Sequence, residues 1–340
     1  MPFDFRIVHV GANAAPEADW ASVAAAAAAA ADTPPSADAP LPEESRRMIV
    51  YRSGLPVARV GFGARAGFSG AKGVTGYVGW YAVTDADAGT CALDRAATAL
   101  LDEGAERVVG PLDGSTWYRY RAALPREKEI EHGEPFLSEP RNPPDWPAHF
   151  DAAGFQPELE YETRLVAHPR RDLELEPRRA ELTVAGVLIR PLELAEYERE
   201  LRLLYDLSVD AFAANPYYLP ISFAEFQGLY AGLRPLLDPA LVRLAIGPDG
   251  RLLGYVFAFP DLIASPGNPR IVLKTLATHR DVRGMGLGGI LVDEIHAIAE
   301  NRGAAVLHAL MQTSNASRNI SSKSSSVLFR RYVLYGRERS

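Results

Sequence analysis

One order of elements is written twice along this chain, and that repeat limits the fold more than any other feature. In the first half, residues 3–10 alternate apolar and polar side chains as a strand does. The alanine run at 24–31 reads as a helix, stopped by the Asp, Pro and Ser cluster at 32–40. Two β-rich runs, 48–51 and 56–62, flank Ser53-Gly54 as a hairpin. A strand at 76–83, a helix over 91–103 ended by Gly104, a strand at 107–111 and an alternating run at 160–166 complete the half. The second half restarts with a strand at 187–190 and helices over 194–212 and 223–237. A hairpin follows around Gly247-Pro248-Asp249-Gly250, then a strand at 271–278, a helix over 287–302, and strands at 306–310 and 329–335.

The repeat lies in the order of elements, not in residue identity. Its period of about 170 residues means a duplicated domain and not a solenoid. A length of 340 residues agrees with two domains at ~100–200 residues each. The stretch PRRDLELEPRRAE between His168 and Leu182 has no apolar face and carries two prolines, so it divides the chain into 1–168 and 183–340. Strands alternating with helices, and hairpins among them, predict an α/β fold with a mixed sheet (α+β in the broader sense) in each half.

Composition narrows the function. With 47% hydrophobic residues the chain can fill packed cores. The formal charge of −7 and the lack of a basic stripe argue against nucleic acid and anionic lipid as partners. A single cysteine, Cys91, excludes a disulfide framework and a multi-cysteine metal site, so no metal is expected. No run approaches the ~20 apolar residues of a membrane helix, and Asp4, Glu17 and Asp19 stand where a secretory signal would be basic. The expectation is a cytoplasmic protein that does not enter a membrane.

The segment 274–289, KTLATHRDVRGMGLGG, carries the most chemistry. It reads as a strand, a tight turn with glycines at alternate positions, and an amphipathic helix. Glycines let the backbone approach a ligand, and the bare N–H groups of a helix N-terminus attract phosphate, with Arg283 adding a fixed charge. Gly284, Gly286 and Gly289 satisfy G-x-G-x-x-G literally. A dinucleotide-binding domain would need far more chain after that motif than the 51 residues present, and an acidic residue after the next strand. A phosphate loop of the Gly-Lys-Ser/Thr type is absent.

Read in its context, Arg283-Gly284-Met285-Gly286-Leu287-Gly288 resembles the Q/R-x-x-G-x-G/A loop of the GNAT superfamily of acyl-CoA N-acyltransferases, over residues 185–335. The resemblance implies that main-chain groups of Leu276, Ala277 and Thr278 bond the pantetheine arm, and that residues 283–288 hold the pyrophosphate. Asn315 with Ser317 resembles the family's asparagine that reaches the same arm. Acetyl-CoA or another acyl-CoA is the implied co-substrate. The first half fits only in outline. Asp85 and Asp87 stand where its loop should be and would repel phosphate, so this half resembles a degenerate repeat of tandem GNAT proteins.

The resemblance implies transfer of an acyl group to a primary amine by direct attack in a ternary complex. The chemistry needs a base for the attacking ammonium and an acid for the leaving thiolate. The tyrosine that GNAT enzymes often use as the acid is missing from the serine-rich segment 320–326, and Lys274 stands where relatives often have a carboxylate. Tyr332 and His308 are the catalytic candidates, and His279 is a weaker base. Tyr217 and Tyr218 lie in an aromatic loop where the family lines its acceptor pocket. The expected acceptor is a small-molecule or peptide amine, and a homodimer is compatible with the chain. A non-catalytic CoA-binding or interaction module is the alternative.

Overall fold

The computed structural model describes residues 3–9, 17–30, 38–126, 133–314 and 325–339. In chain order the first half contains β1 (Asp4–His9), α1 (Glu17–Ala30), β2 (Arg46–Arg52), β3 (Leu55–Arg65), β4 (Thr75–Val83), α2 (Ala86–Asp102), β5 (Arg107–Gly110), β6 (Ala122–Ala123), α3 (Trp146–Ala152) and β7 (Gln156–Val166). The second contains α4 (Glu176–Val184), β8 (Leu188–Pro191), α5 (Tyr197–Phe212), α6 (Phe223–Tyr230), β9 (Val242–Ile246), β10 (Leu252–Pro260), β11 (Arg270–Thr278), α7 (Leu287–Arg302), β12 (Ala305–Gln312) and β13 (Val327–Glu338).

All the described strands join one mixed sheet in the order β1-β2-β3-β4-β5-β13-β7-β12-β11-β10-β9-β8, with β6 added on β13. The order is symmetric about its centre. Each half supplies an antiparallel run ending in one parallel pair, β4 with β5 and β11 with β12. The central strands are exchanged between the halves. β13, the last strand of the chain, lies against β5 of the first half, and β7 lies against β12 of the second. Between them β13 and β7 pair over their length, from Val327↔Leu165 to Gly336↔Gln156. Neither half's sheet is completed without a strand from the other.

The helices α2 and α7 cover equivalent places. In α2 the apolar residues Ala88, Ala92, Leu93, Ala96 and Leu100 recur at helical spacing and are buried against β2, β3 and β4. Asp85 caps its start by accepting a hydrogen bond from the Ala88 amide. In α7 the buried stripe is Leu287, Ile290, Leu291, Ile295 and Ala299, and Gly303 in the left-handed region ends it. Each fully buried leucine or isoleucine contributes about 1.5–3 kcal/mol relative to exposure.

The charged stretch 168–182 is more ordered than its sequence suggests. It holds a short 3-10 turn, Leu173–Leu175, and then α4, with Pro177 in the first turn, where its missing N–H costs nothing. Only Leu182 of α4 is buried. The helix is held by charge instead: Arg179 bonds Asp293 at 2.8 Å and Glu294 at 2.5 Å on α7. Among the described residues no helix is long and apolar enough to cross a membrane.

Candidate active site

The parallel pairs set the site. β11 and β12 bond only from Arg270↔Ala305 to Leu273↔His308. Beyond that point β11 continues to Thr278, held on its other edge by β10, and β12 continues to Gln312, held by β7. Leu310 adopts φ 59°, and the β12–β7 register shifts between His308 and Met311, which turns β12 away. The two strands therefore splay into a wedge. Residues 274–278 form one wall and His308, Ala309, Leu310, Met311 and Gln312 the other, within a cleft of about 1890 Å³. The edge of β11 that faces the wedge presents main-chain groups with no sheet partner.

At the open end a 3-10 turn, Arg280–Val282, leads into Gly284 and Gly286, at φ 82° and 80°. Both angles lie in the left-handed region that glycine adopts without strain. Gly286 is the N-cap of α7 and offers no side-chain acceptor, so the first-turn amides have no side-chain cap and the positive end of the helix dipole faces the cleft. Arg283, Gly284, Gly286, Leu287 and Gly288 all line the cleft beside this terminus. Arg283 is exposed there and makes only a 3.3 Å bond to the Ala211 carbonyl.

The equivalent wedge of the first half is filled. β4 and β5 bond from Thr75↔Arg107 to Tyr77↔Val109 and then separate, but the chain after β5 folds back between them. The Leu112 amide bonds the Val78 carbonyl at 2.8 Å, and the buried Asp113 carboxylate takes the Trp80 amide at 2.6 Å. Gly79 is required at that point, because a Cβ would run into the Leu112 carbonyl oxygen. The start of α2 is occupied by its own cap, and Arg52 pairs with Asp85 at 2.9 Å and with Asp87 at 3.6 Å. Among the described residues, the place equivalent to the β11–β12 wedge is therefore filled and the start of α2 is capped.

The residues singled out from sequence fall in different places. Leu276, Ala277 and Thr278 line the wedge, and Arg283, Gly284, Gly286, Leu287 and Gly288 the loop, whereas Met285 of the same loop points outside the cleft wall and is 41% exposed. Asn315 and Ser317 lie outside the described residues. Tyr332 is fully buried on β13 and does not line the cleft; its hydroxyl donates to Glu139 at 2.7 Å. Burial first, then the Glu139 charge, hold that hydroxyl well above the ordinary tyrosine range. His308 does line the cleft, but its Nε2 lies 2.8 Å from Nε2 of His296 on α7, with the rings stacked at 5.1 Å. Burial lowers His296 to about 4, and burial with the His296 and Arg164 charges lowers His308 to about 3. The pair is neutral at pH 7. His279 caps the 3-10 turn by accepting from the Asp281 amide.

The aromatic loop splits. Tyr217 sits at φ 60° outside the cleft wall, its hydroxyl donating to Glu158 at 2.6 Å. Its amide bonds the Ser69 carbonyl and so ties the two halves together. Tyr218 lines the cleft against Trp117, ring centroids 5.8 Å apart. Its hydroxyl is buried with no hydrogen-bond partner among the described residues, and burial pushes it up to about 12.

Two further residues were not legible as a site. Lys274 is the first residue of β11 beyond the paired segment. It is half-buried, reaches only the Ser138 hydroxyl at 3.3 Å, and is pulled down to about 7 by desolvation and then by the charge of Arg121. Arg121, from the first half, places its Cζ 3.9 Å from the Tyr120 ring centroid and 4.2 Å from that of Tyr161 and donates to the Leu310 carbonyl at 2.9 Å. Nothing local in the sequence signals their approach, since 153 positions separate them. Among the described residues no group of three metal-ligating side chains occurs.

Residues 201–320 match the model of the Acetyltransferase (GNAT) family. Over 99% of its length the chain shares its fold with solved GNAT proteins. It is similar along 99% of its length to a GCN5-related N-acetyltransferase from Sphaerobacter thermophilus, at 17% identity and TM-score 0.50, covering 95% of that chain. A tandem GNAT protein from the clavulanic acid biosynthesis pathway gives 15% identity and TM-score 0.54, with 99% of this chain and 98% of that one covered. A GCN5-related glucosamine N-acetyltransferase region of a fungal GH3 β-N-acetylglucosaminidase gives 13% identity and TM-score 0.58 over 99% of this chain and 38% of that one. Among curated proteins none matches the sequence.

Proposed function

We propose that the protein transfers an acetyl or related acyl group from acyl-CoA to a primary amine, with one working site in the second half. The observation that carries this reading is the β11–β12 wedge opening directly onto the uncapped start of α7 within a single cleft. Backbone N–H groups from Arg283 to Gly288, with the Arg283 charge, suit a pyrophosphate. The unpartnered edge of β11 at 276–278 suits the amide groups of a pantetheine arm, which would complete the ladder that β12 abandons. The thioester then reaches the region around Lys274, where the first half supplies the facing wall.

The acceptor nitrogen attacks the thioester carbonyl with its lone pair, the C–S bond breaks, and the thiolate leaves with a proton. No covalent enzyme intermediate is needed, in keeping with the position of Cys91 on α2, outside the cleft wall. We assign Tyr218 as the proton donor in preference to Tyr332 and His308, because its hydroxyl has no partner among the described residues, while the Tyr332 hydroxyl is committed to Glu139 and the His308 Nε2 to His296. One proton of the acceptor ammonium passes to cleft water before attack, and the second, shed by the nitrogen as the amide forms, restores the Tyr218 hydroxyl that protonated the thiolate. Acyl-CoA turnover over an amine panel, followed as free thiol, tests the reading. Thiol release that depends on the amine supports it, and tight CoA binding without release over any amine favours a CoA-binding module.

A further inference from the structure

The cleft contains an unmatched pair of cations. Lys274 and Arg121 come from different halves of the chain and both line the cleft where the wedge begins, Lys274 on β11 and Arg121 on the Leu310 carbonyl of the facing β12 wall. Among the described residues, no carboxylate lies within ion-pair distance of either. The buried carboxylates of the same wall are all engaged elsewhere: Asp113 with Arg119, Glu139 with the Tyr332 hydroxyl, and Asp293 with Arg179. Burying two like charges without a counterion is costly, and folded proteins normally pair or neutralise them. Arg121 has structural contacts through the Leu310 carbonyl and the tyrosine rings, whereas among the described residues Lys274 holds only a long bond to Ser138.

The geometry of Arg121 says what would fit. Its Cζ sits in the angle between the nearly perpendicular rings of Tyr120 and Tyr161, and its Nη1 corner is fixed on the Leu310 carbonyl. The remaining edge of the guanidinium, with Nε and Nη2, has no protein partner among the described residues. Such an edge matches a carboxylate with two parallel N–H···O bonds, and an ammonium beside it completes the neutralisation.

We propose that the acceptor carries a carboxylate, held between Lys274 Nζ and the free edge of Arg121, so that the substrate class is amino acids or similar amino carboxylates. This rests on the reading of the cleft as an acyl-CoA site. The overall charge of −7 does not decide the acceptor's charge, because Lys274 and Arg121 stand at the wedge with no carboxylate in ion-pair distance among the described residues.

Calorimetric titration of the full chain, with and without CoA, tests it with three product-like probes. N-acetylglycine carries the carboxylate, N-acetylglycinamide is its neutral isostere, and N-acetyl-O-phosphoethanolamine carries a phosphate. The expected result is that N-acetylglycine binds at least ~10-fold more tightly than its amide, as one charge-assisted pair warrants. Lys274→Met and Arg121→Gln should each erase that advantage while CoA affinity stays within about twofold. Lys274→Met alone decides the matter if loss of the Tyr120 and Tyr161 contacts unfolds the arginine variant. Equal binding of acid and amide, an advantage that survives Lys274→Met, or an advantage confined to the phosphate probe would each overturn the proposal. The CoA titration is read separately: a carboxylate preference without CoA binding supports the cation pair and brings down the acyl-transfer reading.

Discussion

Replacing the buried histidine pair should remove most of this protein's sensitivity to mild acid. His296 and His308 are 5% and 3% exposed, share one Nε2–Nε2 hydrogen bond of 2.8 Å, and are lowered to about 4 and about 3. In the unfolded chain both return to about 6.5. A group whose folded pKa is depressed below the unfolded one makes the unfolded chain the better proton acceptor as pH falls. The stability it supports is complete above about pH 7 and is lost progressively from 6.5 towards 4 and 3. The slope is about 1.4 kcal/mol per pH unit for each group, so at pH 5 each histidine costs about 2 kcal/mol and the pair about 4. That is a large part of the 5–15 kcal/mol typical of a folded domain. The buried Asp113, raised by desolvation, titrates in the opposite sense but is common to both proteins compared. Urea unfolding of the native protein and of the His296→Leu/His308→Leu variant at pH 7.5, 6 and 5 measures the difference. The native protein should lose about 4 kcal/mol more than the variant between pH 7.5 and 5. Equal losses would refute the argument that these rings are neutral because they are buried.

Three further outcomes follow from the site. Lys274→Met should stabilise the fold by roughly 1–3 kcal/mol at pH 6–7, because it removes a desolvated cation with no counterion; a lower melting temperature would contradict this. The same lysine, about half neutral at its pKa of about 7, should be the first of the chain's four lysines to react with an amine-specific acylating reagent at neutral pH, as read by peptide mass spectrometry. Tyr332→Phe should cost about 1–2 kcal/mol of stability through the lost bond to Glu139 yet leave kcat within about twofold, whereas Tyr218→Phe should lower kcat ~10–100-fold with little change in CoA affinity. A large kcat loss at Tyr332 would reverse that assignment.

Local patterns identified the elements and the loop, because each depends on neighbours in sequence. The glycines at 284 and 286 report a backbone angle that few other residues adopt, and the helix after them reports its own buried stripe. Strand partners are a different matter. Alternation marks β7 and β13 as strands but says nothing of which edge each joins, so their exchange across the two halves is visible only in the assembled sheet. The stretch 168–182 read as a boundary without an apolar face, and its helix escaped notice because its stabilisation comes from Arg179 reaching α7. For the same reason Tyr332, His308 and Tyr217 looked available for chemistry: their partners, Glu139, His296 and Glu158, are distant in sequence. The loss of the first half's loop could be read from Asp85 and Asp87, although the segment that plugs its wedge, Leu112 and Asp113, could not.

Calorimetric titration of CoA into the native protein, Arg283→Glu and Asp85→Ala tests the central claim most directly. The account predicts one CoA per chain in the native protein, at least ~10-fold weaker binding in Arg283→Glu from reversal of the charge beside the α7 terminus, and unchanged binding in Asp85→Ala. Two CoA molecules per chain, or binding that is indifferent to Arg283→Glu but altered by Asp85→Ala, would place the site in the first half and contradict it.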